Sequence, residues 1–225
     1  MSLINLEFKE NLRLPYLALL VGMFAISTSA ILIRYSNSEP LVIGTYRQAF
    51  ATLAFLPFIF KDRGAEISSQ SNSTLLEMAL TGILLGAHFS FFITSVKETS
   101  VAASVLLATC HVVYVAILGK IFFGETLSKK AIIGTTIALG GILVLFGGDL
   151  IDNPGNFKGN FYAFVAGVLA GLYYLSGRKL RRTISLPTYA FVVYLFSFIS
   201  MFTVVLIQNL SYENLPISEI RLFLL

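Results

Sequence analysis

The sequence predicts an all-α polytopic membrane protein with seven complete transmembrane helices and the start of an eighth. Seven continuously apolar stretches fill most of the 225 residues, and each has about the 20 residues that a helix needs to cross a bilayer. Charged residues make up 12% of the chain, whereas soluble domains carry about 25%. Because the stretches do not alternate between apolar and polar positions, helices are predicted instead of the strands of a membrane barrel.

The predicted spans follow one another with short charged loops between them. Pro40 lies at the start of the second span, where its missing N–H costs nothing, and Pro57 is expected to kink the end of that span. Thr126 or Ser128 is a candidate cap for the fifth span, and Asn160 is a candidate cap for the sixth. The spans cover residues 15–33, 41–60, 75–96, 101–123, 131–148, 161–177 and 189–207.

Lysine and arginine residues are distributed unevenly between the two sides of the predicted bundle. With the N-terminus in the cytoplasm, eleven of the sixteen lie on the inner side, so the positive-inside rule predicts a multi-pass protein of the plasma (inner) membrane with this orientation. The net charge of +4 therefore reflects orientation, and no basic face with interleaved aromatics suggests nucleic acid as a partner. The inner residues are Lys9, Arg13, Lys61, Arg63, Lys120, Lys129, Lys130, Arg178, Lys179, Arg181 and Arg182.

The last residues resemble the opening of another span. Pro216 is typical of a helix start, and an apolar run leads from Arg221 to Leu225. About ten residues cannot cross a bilayer, so the sequence predicts a chain truncated inside a membrane segment.

An internal repeat is also predicted. Residues 16–34 resemble residues 162–179, since each begins with an aromatic residue, contains a glycine and ends with a basic one. A repeat of five helices has an odd number of crossings, so its second copy enters from the opposite side, as in many secondary transporters. The predicted organisation is a cytoplasmic segment at 1–14, a first five-helix repeat at 15–148 and the start of a second repeat at 149–225.

Five short motifs occur in the order seen in one transporter family. The chain resembles the EamA family of the drug/metabolite transporter (DMT) superfamily over about residues 15–210. The motifs are RQAFATLAF at 47–55, ETSVAAS at 98–104, FFGETLS at 122–128, GGILVL at 140–145, and a last one that runs from GNF at 159–161 to GRKL at 177–180.

The resemblance implies a ten-helix fold of two inverted five-helix repeats. It also implies a permease that moves a small organic metabolite or drug by alternating access, often as an exporter of amino acids or related compounds. The chain departs from the family in two ways. Its seven spans and a fragment are fewer than ten, and Cys110 and His111 stand where the family commonly has a proline in the middle of helix four.

The fourth span carries the leading candidates for substrate contact. Ser104, His111 and Tyr114 follow one another at steps that place them on one helix face. Ionisable side chains inside a membrane usually face the bundle interior or a wet cavity, and a histidine titrates near neutrality. His111 is therefore predicted to bind substrate or carry a coupling proton, and a neutral histidine that joins two helices is the alternative.

Further candidates lie on neighbouring spans. His88 lies in the middle of the third span, and either Tyr173 or Tyr174 is expected to point into the bundle as a substrate-binding ring. Arg47 and Gln48, near the outer end of the second span, are predicted to be structural or gating residues, with Glu39 or Glu98 as the acidic partner of the arginine. Glu125 is predicted to be structural, at the start of the fifth span where a carboxylate complements the helix N-terminus.

Other function classes receive little support. The sequence contains no nucleotide-binding, metal-binding or hydrolase motif, so no cofactor, metal or catalytic residue is predicted. Two alternatives remain beside a carrier: a non-transporting membrane subunit or inert fragment, and an intramembrane enzyme. Membrane lipids are expected partners, anionic headgroups included. Small-residue faces predict close helix contact within the chain or in a homodimer: Gly82/Gly86/Ser90, Gly134/Ala138 and Ala163/Gly167/Gly171.

Overall fold

Helices account for nearly all of the described part of the chain. The computed structural model describes residues 13–60 and 64–210, and a short 3₁₀ turn at Pro154–Asn156 precedes the eighth helix. Within those ranges the helices are α1 (Arg13–Tyr35), α2 (Pro40–Phe58), α3 (Gly64–Ser68), α4 (Asn72–Glu98), α5 (Val101–Thr109), α6 (His111–Phe123), α7 (Lys129–Asp152), α8 (Phe157–Leu180) and α9 (Leu186–Ile207).

The predicted all-α class is confirmed, and helices cover each predicted span, the fourth with two shorter helices, α5 and α6. In the described ranges, four segments are long and apolar enough to cross a membrane: Asn72–Glu98, Val101–Phe123, Lys129–Gly148 and Leu186–Ile207. Helix α1 contributes a shorter apolar helix, Leu19–Tyr35. Polar residues lower the hydropathy of α2 and α8. A count of seven spans therefore stays a prediction, and the suggested eighth, at 216–225, lies outside the described residues.

Helices α4 and α8 form the centre of the bundle. They run antiparallel and are joined by a hydrogen bond between Thr81 and Ser176 and, about two turns further along α4, by one between His88 and Ala166. Helix α9 packs against α4 and α2, and α8 also packs against α5 and α6. A buried apolar cluster that includes Met78 joins α4 to α9 and to the end of α8.

Glycines determine how closely the central helices approach. A Cβ added to Gly82 would stand 2.6 Å from the carbonyl oxygen of Val193, so α4 touches the backbone of α9. A Cβ on Gly167 would stand 2.6 Å from the ring of Tyr114, so α8 touches α6 in the same way. The predicted close contact at these glycines is confirmed, whereas Gly134 on α7 has open space around it.

Helix boundaries explain which predicted caps hold. Ser128 accepts a hydrogen bond from the amide of Ala131 at 3.2 Å and caps α7, as predicted. The predicted cap at Asn160 is wrong, because α8 already begins at Phe157 and places Asn160 inside the helix. Asn160 is fully buried, and its Oδ1 accepts a hydrogen bond from the Thr99 hydroxyl at 2.8 Å.

Candidate functional site

The fourth predicted span is interrupted at its centre. Helix α5 ends at Thr109 and α6 begins at His111, because Cys110 leaves the helical conformation with ψ at 6°. The amides of Val113 and Tyr114 both bond to the Cys110 carbonyl, at 2.9 and 3.4 Å, and the Cys110 amide bonds to the Leu106 carbonyl at 3.1 Å, so the helix tightens into a local 3₁₀-type turn at this point. The family's kink position is therefore a helix break here, without a proline.

Two features lie beside the break. The Thr109 hydroxyl donates to the carbonyls of Val105 and Leu106, at 2.8 and 3.1 Å, and such back-bonding bends helices. On the other side, a Cβ at Gly167 would stand 2.7 Å from the Leu107 carbonyl oxygen, so α8 lies directly against the broken turn. A threonine on α5 and a glycine on α8 therefore flank the interruption.

His111 and Tyr174 meet beside this break. Their ring centroids lie 4.6 Å apart with an interplanar angle of 29°, so the imidazole stacks on the phenol ring. Tyr174 is about half exposed and His111 is half-buried, which leaves the pair accessible from one side. Tyr173 lies next to Tyr174, with ring centroids 5.2 Å apart, and packs against the core cluster of α4 and α9.

The other two candidates on this span are buried between helices. Ser104 is fully buried and its hydroxyl is hydrogen-bonded to that of Ser95 on α4. Tyr114 packs edge-on against Phe164, with ring centroids 5.5 Å apart, and among the described residues its hydroxyl has no hydrogen-bond partner. The structure therefore does not gather Ser104 and Tyr114 with His111 on one accessible surface.

His88 joins two central helices. Its Nδ1 lies 2.8 Å from the carbonyl oxygen of Ala166 on α8, and because a carbonyl only accepts, Nδ1 carries the proton and donates. The ring is parallel to that of Phe92, 6.1 Å away. This geometry gives His88 an interhelical bond and leaves only its Nε2 for any other partner.

Arg47 has a different partner from the predicted one. Its Nη1 donates to the Ser29 hydroxyl on α1 at 2.6 Å, while Glu98 lies 3.5 Å from Lys158. The predicted pairing of Arg47 with Glu39 or Glu98 is therefore wrong, because α1 packs beside this part of α2. Gln48 is 2% exposed, and among the described residues its Oε1 has no hydrogen-bond partner.

The comparison with known proteins identifies the family. A sequence model described as the EamA-like transporter family matches residues 13–147, more than half of the chain. The chain belongs to this family. It is also 29% identical over 122 residues to an uncharacterized transporter of Archaeoglobus fulgidus. The match covers 54% of this chain and 42% of the relative, so the chain spans less than half the length of that relative.

Membership confirms the resemblance seen in the five motifs. Together with several helices able to cross a bilayer, it makes this EamA-like protein an integral multi-pass membrane protein of a transporter family. The matched residues run from α1 into α7, and α8 and α9 lie beyond them. The interrupted span and His111 therefore lie inside the matched region, and Tyr174 lies outside it.

At one end of the EamA-like bundle, three carboxylates bind the end of α8 and the start of α9. Glu125 accepts from Arg178 at 2.6 Å, and Glu77 accepts from Lys179 at 2.8 Å. Glu66, on α3, accepts from the backbone amide of Ser185 at 2.8 Å, and from the hydroxyls of Ser185 and Thr188. Glu66, Glu77 and Glu125 are named the carboxylate cluster below.

The sequence indicated only part of this cluster. Glu125 is singled out by its motif, but its carboxylate reaches α8, 53 residues further along the chain, as well as lying before α7. Glu66 is 119 residues from Ser185, and no local signal links the two. Arg178 and Lys179, which are predicted to lie on the inner side, thus also form ion pairs with other helices and loops.

The opposite end of the bundle contains a cavity of about 650 Å³. Arg34 on its wall donates to the carbonyls of Val96 and Lys97 at 2.8 and 2.7 Å, and Lys97 donates to the carbonyl of Ser36. Polar side chains therefore surround this opening beside the ion pair of Glu98 with Lys158, and the carboxylate cluster lies at the other end. The cavity is lined by Arg34, Ser36, Asn37, Ser38, Glu39, Pro40, Leu41, Thr94, Lys97, Glu98, Gln208 and Leu210.

Proposed function

We propose that this EamA-family protein is a secondary transporter that exports a small organic metabolite or drug by alternating access. The observation that carries the proposal is the interrupted span, with His111 and Tyr174 stacked beside the break. His111 lies near the middle of the Val101–Phe123 segment, which is the depth at which carriers bind their substrates. The family match supports the transporter class, and this geometry supports the location that we propose for the site.

A helix break inside a membrane has a direct chemical use. Lipid cannot satisfy backbone groups freed from the helical ladder, so protein, water or substrate must do so. The start of α6 also presents the positive end of a helix dipole toward the break. His111 adds a hydrogen-bonding ring, and Tyr174 adds an aromatic surface with a hydroxyl. These groups suit an amphipathic metabolite, and amino acids and related compounds are the proposed class.

The two ends of the bundle support alternating access. The cavity near Arg34 gives solvent a route into one end, and the carboxylate cluster ties helices together at the other. With the predicted N-in orientation, we assign the cavity near Arg34 to the outer side, so the proposed cycle includes a state open to the outside. Transport would then require the ion pairs of Glu77 and Glu125 to separate while the cavity near Arg34 closes.

The proposed organisation follows from the same chemistry. We assign residues 15–148 to a first five-helix unit and residues 149–225 to the start of an inverted second unit, in the inner membrane with lipids around it. The family match at 13–147 and the antiparallel contact of α4 with α8 support this division. A homodimer is a further proposal, for which open glycines on α7 such as Gly134 leave room.

Counterflow in liposomes tests the function. The full-length gene product is purified, reconstituted and loaded with one unlabelled amino acid, amine or drug at a time, and entry of the labelled compound is followed. We expect saturable counterflow for at least one compound, with no dependence on ATP. Absence of counterflow across a broad panel, in protein that is folded by circular dichroism, would favour the non-transporting subunit instead.

A further inference from the structure

Two buried polar side chains lack a partner where α2, α4 and α9 meet. Gln48 on α2 is 2% exposed and Ser197 on α9 is fully buried. Among the described residues, neither Gln48 Oε1 nor Ser197 Oγ has a hydrogen-bond partner. Lipid tails neither donate nor accept hydrogen bonds. A buried polar atom inside a membrane is therefore expected to have a hydrogen-bond partner other than lipid.

Contacts on both sides place Gln48 opposite Ser197. Toward the start of α2, Gly44 touches the side chain of Met201, and toward its end Phe55 stacks on Tyr194 with ring centroids 5.8 Å apart. Residue numbers rise along α2 as they fall along α9, so the two helices are antiparallel here. Gln48 is one turn after Gly44, and Ser197 is one turn before Met201, so both lie on the contacting faces.

Helix α4 closes the third side of this junction. A Cβ added to Gly86 would stand 3.1 Å from the carbonyl oxygen of Ser197, and one added to Gly82 would stand 3.2 Å from its amide nitrogen. The two glycines therefore bring α4 against the backbone on either side of Ser197. Helix α4 therefore covers one side of Ser197, which is fully buried.

We propose that one water molecule binds between Gln48 and Ser197. The amide oxygen of glutamine only accepts hydrogen bonds, while the serine hydroxyl both donates and accepts. A water molecule matches this pair, since it can donate to Oε1 and exchange a hydrogen bond with Oγ. A divalent cation is a poorer match, because hard cations take about six or more oxygen ligands and here two neutral oxygens are unpartnered.

The proposed water site has a mechanical consequence that is separate from the substrate site at His111. Helix α2 lies in the family-matched region and α9 lies beyond it, so the water would join the two parts of the chain. A bridging water is nearly as favourable as a direct bond and can exchange its partners. The α2–α9 contact could then shift by small distances without leaving either oxygen unpaired.

A double-mutant cycle tests whether the two side chains bind the same water molecule. Thermal unfolding of the purified full-length protein in micelles is followed by circular dichroism. We expect Gln48→Leu and Ser197→Ala each to lower Tm by about 2–4 °C, because each leaves the other side chain without a hydrogen-bond partner. The double variant should lower Tm no further than one single variant does, because it removes both groups. Gln48→Leu with Thr203→Val is the control pair, expected to be additive because Thr203 is exposed and bonds to Ile199.

A longer side chain at position 197 and a comparison of two salts test whether the bound species is water. Ser197→Asn should retain the Tm of the unmodified protein, because its amide occupies the place of the water and reaches Gln48. Tm should also be equal in sodium chloride and choline chloride. Additive losses from the two single variants would overturn the proposal, as would a larger loss for Ser197→Asn than for Ser197→Ala, or a stabilisation specific to sodium.

A high-resolution structure of the unmodified protein gives a readout that needs no variant to fold. We expect one density peak within hydrogen-bonding distance of both Gln48 Oε1 and Ser197 Oγ. A direct bond between the two side chains, or an empty gap, would overturn the proposal.

Discussion

His111 illustrates how a single residue can be both structural and functional. Its ring stacks on Tyr174 at 4.6 Å, and its Nδ1 lies 3.4 Å from the Ala108 carbonyl, beyond the range of a strong hydrogen bond. His88, in contrast, commits its Nδ1 to Ala166 at 2.8 Å. His111 therefore has the more available ring nitrogens, which makes it the stronger candidate for substrate contact.

We predict that His111→Ala lowers the initial rate of counterflow by about three- to tenfold, because it removes roughly 0.5–1.5 kcal/mol of hydrogen bonding to the substrate. Val112→Ala is the matched control. It changes the next residue of the same helix, whose side chain is 68% exposed, and should leave the rate unchanged.

The rate is measured in proteoliposomes with equal amounts of each variant, and its pH profile is recorded. Equal rates and equal pH profiles for His111→Ala and the unmodified protein would leave the histidine a purely structural residue. Tyr174→Phe should retain the stacked ring and most of the counterflow rate. Tyr174→Ala removes the ring and should lose most of that rate.

At the scale of helices, the sequence predicts the positions of the helices better than the contacts between them. Continuous apolar runs marked the helices because in lipid a helix satisfies its own backbone. The hydrogen-bond partners of single residues are harder to predict, because they depend on which helices pack together. Arg47 bonds to Ser29, 18 residues away, and Glu66 bonds to Ser185, 119 residues away. At Cys110 the broken turn lies against Gly167 of α8, a contact that no local pattern in α5 or α6 reveals.

A substitution at a glycine tests the contact between α8 and the broken span. Gly167→Ala should destabilise the protein by about 1–3 kcal/mol, because the added methyl group meets the Tyr114 ring and the rigid Leu107 backbone. Gly134→Ala is the control, with nothing within 4 Å of its Cβ, and should be neutral or stabilising by up to about 1 kcal/mol. Chemical denaturation in mixed micelles measures both, and equal stabilities would show that α8 and α6 are further apart than described.

A charge exchange tests the closure of the carboxylate cluster. Glu125→Arg and Arg178→Glu should each reduce counterflow, because like charges would replace the 2.6 Å ion pair between α8 and the loop before α7. The double variant restores opposite charges and should recover much of the rate.

Both residues of this pair are more than two-fifths exposed, so little effect on stability is expected. Lys130→Glu, an exposed residue at the start of α7, is the control for a change of charge alone. A double variant no better than either single one would show that the ion pair does not contribute to transport.

At the scale of the whole molecule, orientation is the property on which the export proposal depends. The predicted N-in topology places Asn37, in the α1–α2 connection, outside and Lys130 inside. In a Cys110→Ser background, Asn37→Cys should react with a membrane-impermeant maleimide in intact cells, whereas Lys130→Cys should react only after permeabilisation. The reverse labelling pattern would invert the proposed orientation and with it the open side of the bundle.

Cys110 gives the helix break a practical consequence. It is the one cysteine of the sequence, it is partly exposed, and it forms the hinge residue between α5 and α6. Cys110 therefore provides an attachment point for a spin label or fluorophore within one residue of His111. Such a probe would report, without any mutation, whether the fourth span straightens when a compound binds. Its signal could therefore be used to screen compounds for binding.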